Sequence, residues 1–457
     1  MPKGDKLSSK LKEIVGESHI ARDSDKLQAY ALDGKKPKVV VSPRKIDEIS
    51  KILAYANQQH LALAPMGNGT KMGMGGIPKR VDILLLTRRL NRITDCDAEN
   101  LTLSAESGMT LNEAQKRLSK EGRGYFLPLD PPFTEKATLG GIVATNSSGP
   151  KRFLYGTARD LIIGMKTVVF NGDIVISGGK TVKNVSGYDM SKLFIGSFGT
   201  LGIIGEITFK LLPLPEKEAT LLIPFSNLDE ADGFAQEVIH SQLVPASVEI
   251  LNATALARLK FRFSLASEGN YLVAVGLEGV AESIERQISD MGDVGKKHGA
   301  LESVPLDSEK HRAFWHALRD FSRGLARNAP DLVALKSNFL ISKFGRVMER
   351  YEKIAKDLGI NCAWVGHSGN GILYGYVLAD KKMRPKIESL VQFIKKLTAE
   401  AVKNEGNLVV ESSPPSIKKK VDPWGKSRAD ALIMRRIKKQ MDPAGILNPV
   451  RFVGGIE

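Results

Sequence analysis

The chain changes its hydrophobic rhythm twice. Over residues 1 to about 60 the apolar positions recur at helical spacing. Ile46, Ile49, Ile52 and Leu53 mark the buried face of one helix, with Ser42 and Pro43 suited to start it as N-cap and first-turn proline. A first helix and a strand at Val39-Val40-Val41 precede it. From 61 to about 215 the rhythm shortens to strands divided by glycine-rich turns. Leu61-Ala62-Leu63 predicts a short buried strand, and the apolar runs 161–170 and 174–176 around Asn171-Gly172 predict a hairpin. Leu212-Pro213-Leu214-Pro215-Glu216 reads as a linker. Beyond it, strands at 221–223, 248–250, 271–275, 332–335 and 361–365 alternate with helices near 228–241, 281–298 and 345–357. That order predicts an α+β domain with a mainly antiparallel sheet covered by helices on one side. The tail from about 428 predicts a basic amphipathic helix ending at Asp442-Pro443.

Composition adds bounds rather than identity. A length of 457 residues suggests roughly three domain-sized units, and 42% hydrophobic content provides for more than one core. Cys96 and Cys362 lie far apart with no metal or redox spacing, which predicts a reducing compartment. Met1-Pro2-Lys3-Gly4-Asp5-Lys6 lacks the apolar core of a signal peptide, and no apolar run approaches the ~18 residues of a membrane span. A cytoplasmic location follows as an expectation.

The net charge of +15 changes the picture more. It fits nucleic acid, an anionic membrane surface, or steering of anionic substrates. The basic residues are spread along the chain, with clusters at Lys418-Lys419-Lys420 and Arg435-Arg436-Ile437-Lys438-Lys439. The second cluster shares helical spacing with Leu432, Met434 and Met441 and reads as a solvated helix face. No nucleic-acid partner is expected. Peripheral contact with the inner face of a membrane, or with a partner protein, is the alternative to a plain surface.

Three glycine-rich segments carry the candidate chemistry. Ala64-Pro65-Met66-Gly67-Asn68-Gly69-Thr70-Lys71-Met72-Gly73-Met74-Gly75-Gly76 can turn tightly with its N–H groups inward, as a phosphate or pyrophosphate requires. Two commoner motifs fail here. A dinucleotide fingerprint from Gly67 would need glycine at Met72, and a P-loop ending at Lys180-Thr181 would need glycine at Ile174. The second segment runs from Leu129-Asp130-Pro131-Pro132 through Thr138-Leu139-Gly140-Gly141 to Asn146-Ser147-Ser148-Gly149, and on to Tyr155-Gly156-Thr157. The third runs from Gly187 through Gly199-Thr200-Leu201-Gly202-Ile203-Ile204. Three loops of small residues suit a long, flat, phosphorylated ligand.

In these segments, and in the terminal Asp442-Pro443-x-Gly445-Ile446-Leu447-Asn448-Pro449, the chain resembles the flavin oxidoreductases of the vanillyl-alcohol oxidase type, in their glycolate oxidase and D-lactate dehydrogenase branch. The resemblance implies an FAD-binding domain of the PCMH type with two subdomains over 1–215. It further implies an α+β cap or substrate domain over 216–425, and a C-terminal helix and tail over 426–457 that return to the flavin domain. It implies that Pro65, Gly67, Asn68, Gly69 and Thr70 hold the FAD pyrophosphate. Asp130, Pro131, Thr138, Gly140, Gly141, Asn146, Ser148 and Gly149 would line the flavin and its phosphates, and Gly199, Thr200, Gly202 and Ile204 would support the adenine and ribitol side. The first loop contains no histidine for a covalent link, so FAD is expected to be non-covalent.

The departures from that family are equally informative. Its D-2-hydroxyacid dehydrogenases carry H-x-G-D-G-N-x-H with two metal-ligating histidines, whereas this chain has His367-Ser368-Gly369-Asn370-Gly371-Ile372-Leu373-Tyr374. The family's Glu-His-Gly segment corresponds to Gly406–Pro414, which has no histidine. A divalent ion needs several converging ligands, so no metal is expected. The candidate catalytic residues are Arg319 for a carboxylate, His367 and Asn448, with His316 a weaker candidate base. His367 also reads as a hydrogen-bonded turn residue, and Arg319 as a helix-surface arginine.

These losses resemble the subgroup of FAD-binding subunits in multi-subunit bacterial glycolate oxidases. That implies a small 2-hydroxy acid as substrate, with a fuller flavin subunit and an iron–sulfur subunit as partners. Two other readings share the fold: a non-catalytic FAD-binding assembly subunit, and a nicotinamide-dependent flavin reductase. Acid precipitation of the purified chain should release all of its yellow colour, and elemental analysis should find no stoichiometric zinc, manganese or iron. Colour retained on the precipitate would contradict the non-covalent assignment.

Overall fold

The computed structural model describes residues 3–120, 124–179, 188–261, 269–326, 331–378, 385–426 and 429–456. The chain divides into two units. The first comprises Met1–Ser148, Thr157–Leu214 and Ser427–Glu457; the second comprises Gly149–Gly156 and Pro215–Lys426. Gly187 and the Lys180-Thr181 pair lie outside the described residues.

The first unit contains two main sheets. In the four-stranded sheet, Ile20–Ala21 pairs with Val39–Val41, which lies beside Ile83–Leu86 and then Leu63–Met66. Only the Ile20–Ala21 edge is antiparallel. Continuous apolar runs such as Val39-Val40-Val41 and Ile83-Leu84-Leu85-Leu86 are buried throughout, as expected of strands covered on both faces. The strand predicted at 61–63 lies two residues later, because Ala62 N–H is taken by the buried carboxylate of Asp82 at 2.8 Å, and ladder pairing begins at Leu63. The helix predicted from Ser42 begins instead at Ile46 and runs to Gln58. The Glu48 carboxylate accepts Arg44 N–H at 2.6 Å, so a first-turn acid fixes the approach and the Ser42 side chain makes no cap.

The second sheet is antiparallel throughout, in the order Ile93–Asp97, Thr102–Glu106, Ile203–Lys210, Ile162–Val168, Ile174–Gly178. Its last two strands form the predicted Asn-Gly hairpin, with Val168 opposite Ile174. Leu212–Pro213, read as linker, pairs with Tyr125–Phe126 as a two-stranded ribbon.

The helix Ala431–Met441 corrects the solvated-face reading of its basic cluster. Lys438 is buried, and its Nζ donates to Thr200 O at 2.9 Å, to Leu447 O at 3.0 Å and to Asp442 Oδ2 at 2.5 Å. Leu432 and Ile433, by contrast, are 57% and 60% exposed. Lys418 in the other basic cluster is also buried.

The second unit is built on one eight-stranded antiparallel sheet. Its order is Val304–Asp307, Lys217–Phe225, Tyr271–Gly279, Ser247–Asn252, Cys362–His367, Ile372–Val377, Val333–Asn338, Asn407–Ser412. Leu228–His240, Ala281–Lys297, Phe344–Asp357 and Ile387–Lys403 send Phe234, Met291, Phe344, Tyr351, Phe393 and Leu397 onto one face. The helices are not confined to that face. Ser308–Arg319 and Phe321–Ala326 add Phe314, Trp315, Leu318 and Phe321 to a second cluster with Leu251, Ala363, Val365 and Tyr376. Gly149–Gly156 belongs to this unit because Lys151 and Tyr155 bind its acids: Lys151 Nζ reaches Glu218 at 3.2 Å and also pairs with Glu278, and Tyr155 Oη donates to Glu278 at 2.6 Å.

Replacing Lys438 by methionine would leave Asp442 buried without its counter-ion. We expect a loss of about 3–5 kcal/mol, seen as a fall of roughly 6 °C or more in the melting temperature followed by circular dichroism. The exposed Lys439→Met control should change stability by no more than about 0.5 kcal/mol. Equal melting of the two variants would remove Lys438 from this role.

Candidate functional site

A cleft with about 760 Å³ of open space lies in the first unit, walled by the first glycine-rich loop, by Thr138, Gly140, Gly141, Ala144 and Thr145, by Phe198, Gly199 and Gly202–Ile204, and by the tail residues Asn448 and Arg451. The walls approach closely because they lack side chains at the contacts. A Cβ on Gly67 would lie 2.1 Å from Thr138 Oγ1, and one on Gly199 would lie 2.5 Å from Pro65 Cγ. Thr138 caps the helix Leu139–Thr145 by accepting Gly141 N–H at 3.2 Å, and Asn68 Nδ2 donates to Lys136 O at 2.8 Å. Glycine at these contacts is therefore a packing requirement of the loops themselves.

The tail completes the cleft. Leu63 forms a parallel bridge with Leu447, and Asn448 N–H donates to Leu63 O at 2.8 Å. Asn448 Nδ2 donates to Phe198 O at 2.7 Å, while the buried Arg451 donates to Met72 O at 2.8 Å and pairs with Asp33 at 3.2 Å. Asn448, expected among the catalytic residues, thus stands in the wall of this cleft and ties two of its loops.

Of the predicted cofactor residues, Pro65, Gly67, Asn68, Gly69, Thr70, Thr138, Gly140, Gly141, Gly199, Gly202 and Ile204 line the cleft. Asp130, Pro131, Asn146, Ser148 and Thr200 are absent from its lining. Asp130, Ser148 and Thr200 are buried, and the Thr200 carbonyl is held by Lys438. Asn146 ends its helix in a left-handed conformation, φ 44°. Gly149 groups with the second unit.

Ser107, Phe198 and Arg451 line the cleft without having been predicted. Ser107, before Gly108 at the end of the strand Thr102–Glu106, is another small residue at a strand end, the same signal that marked the three loops. Its Oγ is buried with no hydrogen-bond partner, and a Cβ added to Gly141 would meet only Thr138 Oγ1, at 3.1 Å. A cleft with an unmatched polar group and an open glycine floor fits a flat, polar, phosphorylated cofactor such as FAD.

Arg319 and His367 lie in the second unit. His367 ends the strand Cys362–His367, directly opposite Glu249, and its Nδ1 lies 2.6 and 2.7 Å from the two carboxylate oxygens. Burial, reinforced by Lys336 and Arg152, pushes its pKa down to about 3. The ring is therefore neutral near pH 7. It donates Nδ1–H to Glu249 and leaves Nε2 with its lone pair. Tyr374 stacks on Tyr376 and sits 5.1 Å from His367, with Lys336 Nζ 5.6 Å from its ring centre. Burial pushes both phenols upward. Arg319 is half-buried, and its Nε lacks a hydrogen-bond partner.

His316 is exposed, whereas His311, five residues earlier on the same helix, is buried. His311 falls on the stripe with Phe314, Trp315 and Leu318, a spacing that could have found it. Trp315 Nε1 donates to Thr220 Oγ1 at 2.8 Å, which lies 2.8 Å from His311 Nδ1. Among the described residues, His311, Glu218 and Glu278 form one group of donors close enough to share a cation, within 4.8 Å of one another. The ammonium of Lys151 already bridges both carboxylates.

Residues 37–178 match the family described as the FAD binding domain, and residues 214–451 match the FAD linked oxidases, C-terminal domain. The chain is 31% identical to the glycolate oxidase subunit GlcD of Bacillus subtilis, over 90% of this chain and 88% of that protein. It is 27% identical to the D-lactate dehydrogenase of Archaeoglobus fulgidus, over 97% and 98% of the two chains. Among solved structures, p-cresol methylhydroxylase with substrate bound superposes with a TM-score of 0.76 at 16% identity, covering 99% of this chain and 97% of the other. At that identity the likeness concerns the fold alone. It agrees with the expected PCMH-type flavin fold carrying an antiparallel-sheet domain.

The state of His367 has a measurable pH signature. Its pKa falls from 6.5 unfolded to about 3 folded, so folding sheds a proton. The stability it favours is complete above about pH 6.5 and is lost as the pH falls toward 3, where the unfolded chain binds the extra proton. His367→Gln removes that proton uptake. Urea unfolding from pH 7 to pH 4 should therefore show the variant losing stability less steeply, by up to about 1.4 kcal/mol per pH unit. Identical slopes would show that the folded protein keeps His367 protonated.

Proposed function

The chain belongs to the FAD-linked oxidases, and from that membership we propose that it is an FAD-dependent oxidoreductase subunit acting on small 2-hydroxy acids such as glycolate or D-lactate. The observation that carries this reading is the glycine-walled cleft, whose lining matches the segments expected to hold FAD. The names of the relatives supply the substrate class. Bound FAD would supply the hydride acceptor. The chain's own part on that side is to grip a non-covalent cofactor through the loops at 65–70, 138–141 and 199–204, and to exclude water behind Asn448 and Arg451. We read 1–215 as the flavin domain, 216–425 as the cap and 426–457 as a returning tail, a division supported by the hydrogen bonds of Asn448 to Leu63 and Phe198.

The donor side supports a dependent role. His367, oriented by Glu249, is a candidate to take a hydroxyl proton at Nε2, and Arg319 to pair with a carboxylate. A pKa near 3 makes His367 a weak base at neutral pH, and Asn370 and Tyr374 stand where the family's D-2-hydroxyacid dehydrogenases have metal-site residues. We therefore infer that a fuller flavin subunit and an iron–sulfur subunit complete the reaction. A second reading, an assembly subunit that holds FAD without turnover, is favoured by the same Tyr374. The helix Ala431–Met441, with Leu432, Ile433, Arg435, Arg436 and Lys439 all exposed, is our candidate contact for a partner or an anionic membrane face. Among the described residues no helix is long and apolar enough to cross a membrane.

Anaerobic mixing of the flavin-loaded chain with excess D-lactate or glycolate tests the proposal. A missing or mismatched base costs about 10²–10⁴ in rate, so we expect the isolated chain's flavin to bleach that much more slowly than when the two partner subunits are added. Fast bleaching of the chain alone would overturn the dependent role. Failure to bleach even in the complex would leave the assembly-subunit reading, and a colourless preparation that takes up no FAD would overturn both.

A further inference from the structure

The cleft wall at Phe198, Gly199 and Gly202 is tied to the tail at Asn448 from two sides. On the cleft side, Asn448 Nδ2 donates to Phe198 O at 2.7 Å. Away from the cleft, Lys438 Nζ donates to Thr200 O at 2.9 Å and to Leu447 O at 3.0 Å. Each of those carbonyls belongs to the immediate neighbour of a lining residue: Thr200 follows Gly199, and Leu447 precedes Asn448. Lys438 itself is absent from the lining. One ammonium therefore fixes the spacing of two wall segments to which it contributes no surface.

The tail segment held in this way is strained. Asn448 and Val450 both lie in the left-handed region, at φ 44° and 67°. Asparagine tolerates that conformation, but a β-branched valine adopts it only where the surroundings impose it. Downstream, Gly76 N–H donates to Arg451 O at 3.2 Å, and a Cβ on Gly76 would lie 2.2 Å from Val450 O. Upstream, the Asp442 carboxylate accepts Ile446 N–H and Leu447 N–H while pairing with Lys438. Loss of the lysine would release the Thr200 and Leu447 carbonyls from each other. It would also leave a buried charge uncompensated at the start of the strained turn.

We infer that Lys438 is a positioning residue for the cofactor: it keeps the wall at Phe198–Gly202 and the tail at Leu447–Arg451 in register, and so sets how slowly bound FAD leaves. The inference rests on the FAD reading of the cleft and not on the identity of the substrate. Its distinguishing mark is that cofactor retention responds to a side chain outside the cleft.

The test follows FAD release from the flavin-loaded chain by the rise in flavin fluorescence on dilution, at a temperature where circular dichroism shows each variant folded. Lys438→Met should release FAD about tenfold faster than the wild type or more, a difference of about 1.4 kcal/mol. Lys439→Met, at the exposed next position, should release it at the wild-type rate. Asn448→Gly keeps the left-handed backbone, removes the tie to Phe198 and should also speed release. The double variant should fall short of the product of the two single effects, because both ties join the same two segments. Phe393→Ala, in the core of the second unit, controls for a merely structural role. It should lower the melting temperature and leave the release rate unchanged. If Lys438→Met does not fold, Lys438→Gln, which retains a donor, is measured in its place and should still speed release. A wild-type rate in a folded Lys438 variant, or single effects that simply multiply in the double variant, would overturn the inference while the FAD reading stood. A wild-type chain that takes up no FAD would overturn both.

Discussion

Taking the ammonium of Lys438 out of water costs several kcal/mol, and the fold compensates by surrounding it with the Asp442 carboxylate and the carbonyls of Thr200 and Leu447. The arrangement ties the last long helix and the turn after it to the loop around Thr200, 238 residues away in sequence. The Asp442 carboxylate also accepts the N–H groups of Ile446 and Leu447 at 3.1 and 2.8 Å. The turn is thereby set, Leu447 bridges Leu63, and Asn448 and Arg451 reach the cleft. The geometry of the cleft wall depends on one buried charge having all its partners.

Elsewhere in the fold, lysine supplies a cation to a set of donors that by composition could have gathered a metal. Lys151 bridges Glu218 and Glu278 beside His311 in the second unit. An ammonium is singly charged and directs only hydrogen bonds, so it balances part of the acidic charge without polarising a bound oxygen as a divalent ion would. Around His367 the charges are of the same restrained kind. Glu249 fixes the ring, while burial, and after it Lys336 and Arg152, disfavour its protonation. Both clusters organise charge through hydrogen bonds and singly charged groups.

Much of this was legible in the residues. Alternating strands and helices after 215 predicted the antiparallel sheet, and the small residues of the three loops predicted which backbone would wall the cleft. What stayed hidden depends on contacts distant in sequence. Lys438 sits in a run of basic residues, and only its position opposite Asp442, Thr200 and Leu447 distinguishes it from the exposed Lys439. His316 attracted notice beside Trp315 and Arg319, yet the helical stripe through Phe314 and Leu318 buries His311 instead. Ser42 and Pro43 are good helix starters in isolation. Tertiary context moved the start to Ile46, because Glu48 captures Arg44 and Arg89 Nη1 donates to the Ser42 carbonyl at 2.7 Å. Ser107 and Arg451 needed the closed cleft to be seen as part of it.

The bridge between Leu63 and Leu447 has a consequence for how the protein is made. Synthesis proceeds from the N-terminus, and domains commonly begin to fold while the rest of the chain is still emerging. The strand Leu63–Met66 and the loop after it leave the ribosome nearly four hundred residues before the tail that closes them. In that interval the second unit can assemble its own sheet, while the first waits with an incomplete wall. For most of its synthesis the nascent chain carries a cleft still lacking Asn448 and Arg451. Any translational pause before residue 451 prolongs the time in which a chaperone, or a neighbouring chain, can meet that unfinished surface.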